Sequence, residues 1–87
     1  MGCFMLLNET VAMMNSSDYK ERFKAEYVQL KIRMKGLSNM LDKYKNGTLD
    51  FKPSCSYELL DRQLKSMTVY AKILEERAVI ENIDLNI

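Results

Sequence analysis

One stretch constrains this chain more than any other: Tyr57 to Ile80, reading YELLDRQLKSMTVYAKILEERAVI. Leu60, Leu64, Met67, Ala71, Leu74 and Ala78 recur at alternating steps of four and three. That spacing lines one face of a helix and asks for a second helix lying nearly parallel to it. A matching seam runs upstream through Phe23, Tyr27, Leu30, Met34, Leu37, Leu41 and Tyr44. Two seams joined by a short connection predict an all-α fold, an antiparallel two-helix hairpin.

The punctuation between the seams agrees. Asn15-Ser16-Ser17-Asp18 supplies several N-cap residues, with Glu21 three positions after Asp18. The first long helix is therefore predicted from about Asp18 to about Lys45, roughly 40 Å at ~1.5 Å per residue. Gly36 inside it costs about 1 kcal/mol relative to alanine, which suggests a close helix approach or a bend, with a functional backbone contact as the alternative. Asn46-Gly47 tolerates the left-handed conformation that follows a last helical turn, and Pro53 forbids a helix through Thr48 to Cys55. Ser54 or Ser56 caps the second helix, Glu58 and Asp61 complement its positive end, and it should stop near Glu81. Residues 1–17 read as an N-terminal extension and residues 18–87 as the helical hairpin domain. Within the extension Phe4, Leu7, Val11 and Met14 share a face, predicting a short helix that either docks on the main body or frays.

Two segments look strand-like. Leu49 and Phe51 alternate with Thr48, Asp50 and Lys52, and Asn82 to Ile87 alternates strictly, the pattern of a short terminal strand. These pieces fall at opposite ends of the hairpin, so they meet only if a second subunit runs antiparallel beside the first. A lone hairpin would also leave Tyr19, Val28, Ile32, Met40, Leu59, Tyr70, Ile73 and Ile80 incompletely covered. Both arguments predict a homo-oligomer built through helix–helix packing.

Composition closes off several functions. A chain of 87 residues holds one modest core. Cys3 and Cys55 fit no metal spacing and no histidine is present, so no metal or cofactor is expected. A Cys3–Cys55 disulfide remains open beside the alternative that compartment logic favours, two reduced thiols in a cytoplasmic protein. Thirteen basic against twelve acidic residues give a formal +1, which points to neither a nucleic-acid coat nor a membrane surface. The longest apolar run is only a few residues. The start lacks the basic region of a signal peptide, and Met1-Gly2-Cys3 opens like a myristoylation signal but has Leu6 where Ser or Thr is needed. A natural start at Met13 or Met14, just before the first long helix, would leave residues 1–12 as an extension. With no Gly-rich phosphate loop and no nucleophile elbow, and with Glu75-Glu76 successive on a helix and so diverging, no enzyme is expected. No recognition helix with clustered Arg, Asn or Gln is apparent, so sequence-specific DNA binding is not expected either.

Charge is unevenly distributed. Residues 18–45 carry a net +4 and residues 56–81 a net −1. Lys20, Lys24, Lys31 and Lys35 fall on one stripe with Tyr27 and Val28 between them. Basic residues interleaved with an aromatic ring suit a phosphate-bearing ligand whose bases stack, although the same spacing describes an ordinary solvated face. Tyr19, Tyr27, Tyr44, Tyr57 and Tyr70 lie on or beside the apolar faces, where packing is their usual role. Tyr70 stands apart, sharing a neighbouring face with Gln63, Met67 and Arg77 and so pairing a ring with a fixed cation. Arg77 alone would make a surface salt bridge to Glu76 or Glu81.

The run Leu59-Leu60-x-x-Gln63-Leu64-x-x-Met67-x-x-Tyr70-x-x-Ile73-Leu74-x-x-Arg77 resembles the C-terminal helix of small bacteriophage helical-hairpin proteins. Tyr19-x-x-Arg22-x-x-x-Glu26-x-x-x-Leu30-x-x-Arg33 is similar to their first long helix. That group includes the cyclic-oligonucleotide sponges with which phages oppose CBASS and Thoeris immunity, proteins that oligomerise and trap a host signal between subunits without degrading it. The resemblance spans residues 18–81, while the loop Thr48–Cys55 and the tail Ile83–Ile87 depart from the group's simplest form. It implies a phage anti-defence protein in the host cytoplasm holding a cyclic di- or trinucleotide. Arg22, Lys31, Lys35 or Arg77 would meet the phosphates, and Tyr19, Tyr27 or Tyr70 would stack on the bases. Competing readings are a protein-binding inhibitor of a host defence complex, of the anti-CRISPR kind, and a structural oligomerisation module.

Overall fold

The computed structural model describes residues 7–85. A 3-10 turn, Leu7–Glu9, leads into the short helix α1, Thr10–Met14. Two long helices follow, α2 from Tyr19 to Asn46 and α3 from Tyr57 to Glu81. The 28 residues of α2 should measure about 42 Å at ~1.5 Å each, and the molecule's long axis is 43 Å. One helix therefore sets its length. α2 is the middle layer: α3 packs along one side of it, α1 and its turn lie against another, and α1 does not touch α3.

The ends form as the sequence dictates. The Asp18 side chain accepts from the Lys20 amide and caps α2, and the Ser56 hydroxyl accepts from the Leu59 amide and caps α3, each satisfying a donor that an open first turn leaves unpaired. Both long helices close with the same left-handed device. After α2, Gly47 takes φ 72°, with its N–H donating to Tyr44 O and that of Thr48 to Lys43 O. After α3, Asn82 takes φ 59°, with its N–H donating to Val79 O and that of Ile83 to Ala78 O.

This second cap overturns the predicted terminal strand. The turn at Asn82 swings Ile83 back into the α2–α3 core, where it is buried, with Leu85 packed beside it. A tail already anchored at its own end of the hairpin is not free to pair with a distant loop. No strand occurs among the described residues, and in the loop Leu49 is half-buried while Phe51 is exposed. Residues 86 and 87 lie outside the described residues.

The core runs along the two seams. Phe23 and Leu30 of α2 meet Ala71, Leu74 and Ala78 of α3, with Tyr27, Met34 and Met67 packed against them. Leu41 is also buried; Leu37, Tyr44, Leu60 and Leu64 are half-buried.

α1 departs from expectation in its orientation. Leu7, Val11 and Met14 are exposed, and Phe4 lies outside the described residues. The buried residue is Thr10, whose hydroxyl donates to Leu7 O at 2.6 Å and accepts from Gln29 Nε2 at 2.7 Å. A polar contact, not the apolar stripe, seats this helix. Val28, expected to be uncovered, is 2% exposed, because it falls on the side of α2 that includes Ala25 and Gln29. At Gly36 a Cβ would meet nothing within 4 Å, so among the described residues no helix approaches it closely. Cys55 is a free, exposed thiol, and Cys3 lies outside the described residues.

Candidate functional site

The two long helices bring their polar residues together along the flanks of the shared seam. On one flank lie Tyr19 and Glu26 of α2 against Tyr70, Arg77 and Glu81 of α3. The Tyr19 hydroxyl donates to Glu81 Oε1 at 2.5 Å and accepts from Arg77 Nη2 at 2.6 Å. Arg77 Nε also donates to Glu81 Oε2 at 3.0 Å, and its guanidinium carbon sits 4.9 Å from the centre of the Phe23 ring. Phe23 in turn meets Tyr19 edge-on at 6.2 Å. About two turns away, the Tyr70 hydroxyl donates to the Glu26 carboxylate. Tyr19, Tyr70 and Arg77 are thus cross-links between the helices as well as candidates for a ligand. Gln63 and Met67, on the same face of α3 as Tyr70, contact each other, Nε2 to Sδ at 3.9 Å.

Hydrogen bonding tunes this cluster. Donation from Tyr19 first, and from Arg77 second, holds the Glu81 carboxyl below the ordinary carboxylate range. The Tyr19 phenol is held above its ordinary value, chiefly because it donates to Glu81 and then by desolvation. The Arg77 guanidinium is raised further by its bond to Glu81. A negative carboxylate, a neutral phenol and a positive guanidinium support one another, the mutual polarisation expected of a short hydrogen-bonded chain.

The other flank is basic. The Tyr27 hydroxyl donates to Glu75 Oε2 at 2.6 Å, and Lys31 Nζ, one turn on, stands 5.9 Å from the Tyr27 ring centre, within cation–π reach. Beyond Tyr27 the helices part into a groove of about 370 Å³ lined by Lys31, Ile32, Met34, Lys35, Ser38, Leu64 and Thr68. Among the described residues neither Lys31 nor Lys35 pairs with a carboxylate. The groove therefore offers two ammonium groups and two hydroxyls around an apolar floor. Lys20, at the head of the same stripe, is occupied: its Nζ donates to Asn82 O at 3.4 Å, helping to close α3.

Of the seven candidate residues, the fold places Lys31 and Lys35 in this groove, with the Tyr27 ring beside Lys31. It gathers Tyr19 and Arg77 at the open end of the opposite flank, with Tyr70 between. Arg22 joins neither group; its Nη1 donates to Ser16 O at 2.8 Å and fixes the α1–α2 turn. Ser38 and Thr68 were not singled out from the sequence. Ser38 follows Lys31 by seven residues and Lys35 by three, so helical spacing alone would have placed it on the lysine stripe. Thr68 follows Leu64 by one turn, its hydroxyl donating to Leu64 O at 2.9 Å.

No helix among the described residues is long and apolar enough to cross a membrane. No curated protein and no solved structure matches the chain. Residues 17–80, which take in all of α2, the loop and α3 to its penultimate residue, fit the family model named Sequestin, and the chain belongs to the Sequestin family.

Proposed function

We propose that this protein binds a small phosphate-bearing host signal, a cyclic di- or trinucleotide, and holds it without degrading it, as a phage anti-defence protein would. The observation that carries the reading is the groove beside Tyr27. Lys31 and Lys35 present charges that no carboxylate of the described chain neutralises, and Ser38 and Thr68 add neutral hydrogen-bonding groups. Two ammonium groups one turn apart match successive phosphates, and the floor of Ile32, Met34 and Leu64 suits the face of a base. Its volume, about 370 Å³, falls in the range of small-molecule clefts, roughly 300–1,000 Å³. The family's name, which speaks of sequestering, supports retention over turnover. So does the chain's chemistry, since a sequence without histidine pairs no imidazole base with a nucleophile.

The test is calorimetric titration of the full chain against cyclic dinucleotides, cyclic trinucleotides and cyclic ADP-ribose-type signals, followed by heat release and chromatography of the bound compound. Binding with chemically unchanged ligand is expected. Replacing both lysines, Lys31→Glu with Lys35→Glu, should weaken affinity on the order of a hundredfold, as expected for losing two charge-assisted contacts. Silence across the panel, or release of a cleaved product, would sink the reading.

A further inference from the structure

We infer that the outer face of α3 is the contact surface for a second copy of this chain, packed antiparallel about a two-fold axis near Val69. The inference stands apart from the ligand proposed for the lysine groove.

α3 carries two apolar seams. The first faces α2 and forms the core. The second lies on the opposite side and repeats every seven residues, Leu59, Ser66, Ile73 and Ile80, with Val69 between. Its apolar members are exposed, Ile73 by 50% and Ile80 by 83%. A surface helix of a self-sufficient domain normally turns polar residues to that side, and a sustained seven-residue repeat is the pattern of helix pairing. Nothing in the described chain covers it, because α1 lies against α2 and does not touch α3.

The charges on this face select the occupant and its direction. Arg62 lies toward the loop end and Glu76 toward the open end, and among the described residues neither has an ion-pair partner. In a parallel pair each would meet its own like charge. In an antiparallel pair centred near Val69, Arg62 faces Glu76 of the second copy at both ends of the contact. The same register sets Leu59 against Ile80 and the small Ser66 against the bulkier Ile73, so large and small side chains alternate as close packing requires. Such self-complementarity is the requirement of a two-fold contact. The assembly would be layered, with the two α3 helices at the centre and each α1 outermost.

Sedimentation of the full chain tests this directly. The unaltered protein should run at twice its 10.2 kDa chain mass, and Ile73→Glu should run at the single-chain mass while keeping its helical circular dichroism. Arg62→Glu and Glu76→Arg should each weaken the dimer about tenfold, since each change turns two symmetry-related attractions into repulsions. Combined in one chain they should restore it. A single-chain mass for the unaltered protein across the micromolar range would overturn the inference, and is the result expected if a different protein covers the face. A dimer indifferent to Ile73→Glu would overturn it too, and charge reversals that fail to rescue each other would overturn the antiparallel register. None of these readouts depends on whether a nucleotide binds.

Discussion

The two halves of the hairpin are built differently. In the half toward the open end, Phe23, Leu30, Leu74, Ala78 and Ile83 are buried together. Side-chain hydrogen bonds between the long helices, among them Tyr19 to Glu81, Tyr27 to Glu75 and Tyr70 to Glu26, also lie there. Toward the loop, among the described residues, only Leu41 is fully buried, and the helices meet through half-buried leucines and an edge-on Tyr44–Tyr57 contact at 5.6 Å. The lysine groove begins where the dense half ends. Interiors packed to crystal-like density leave no room for a ligand, whereas a half that gives up some packing can keep one. Burial is concentrated in one half, and the other is partly open.

The strongest challenge to that contrast is a pair of matched truncations. Leu74 is 1% exposed, so Leu74→Ala should cost about 3 kcal/mol in chemical unfolding. Leu64, half-buried at the groove, should cost only about 1 kcal/mol when cut to alanine. Both are measured at one protein concentration, because self-association would shift apparent stability. Equal losses would abolish the distinction between the halves.

The two residues that follow the helix caps sharpen it. Ile83, 7% exposed, joins the core just after Asn82, so Ile83→Ala should cost about 2 kcal/mol. Leu49 holds a similar place after Gly47 but is only half-buried, and Leu49→Ala should cost about 0.5 kcal/mol. If the Ile83 variant unfolds at the same denaturant concentration as the unaltered chain, the tail is not part of the anchor.

Helix positions, caps and seams were legible because they follow from local chemistry that a sequence displays. Alternating steps of four and three mark the seams, Asp18 and Ser56 stand where a first turn needs an acceptor, and Gly47 stands where a last turn needs positive φ. The tail was misread because alternation in Asn82 to Leu85 satisfies two geometries. A strand buries every second residue, and a left-handed cap also buries the residue after it. Only the position of the α2–α3 core relative to Asn82 decides between them. α1 was misread for a related reason: its apolar stripe was evident, but Thr10 found a partner in Gln29, nineteen residues away, and no local pattern announces such a pairing. At the candidate site, the lysine stripe could be read from spacing, while the carboxylate partners of Tyr19, Tyr27 and Tyr70 depend on how the two helices are registered.

Gly36 offers a smaller effect of opposite sign. It sits in α2 with open space where its side chain would be, so Gly36→Ala should raise stability by about 0.5–1 kcal/mol through helix propensity alone. A loss of stability would mean that something covers this face in solution, and the thermal midpoint reports either result.

The subtlest difference between the halves should appear in pH dependence. In the open half the Glu81 carboxyl is held low by Tyr19 and Arg77. Its contribution is present above the ordinary carboxyl pKa and is lost as pH falls through the lower folded value. The Tyr19 phenol is held high by Glu81, so its contribution is present below the ordinary phenol pKa and is lost as pH rises through the higher folded value. Tyr19→Phe keeps the ring against Phe23 but removes the hydroxyl between Arg77 and Glu81. The variant should therefore show a shallower decline toward acid and lose the alkaline decline that Tyr19 contributes, whereas Leu64→Ala, altered in the other half, should keep both. All of these groups are solvent-accessible, so salt should flatten the differences. Superimposable stability–pH curves for Tyr19→Phe and the unaltered chain would mean that the Tyr19–Arg77–Glu81 cluster does not anchor the open end, and that apolar packing around Leu74 holds it alone.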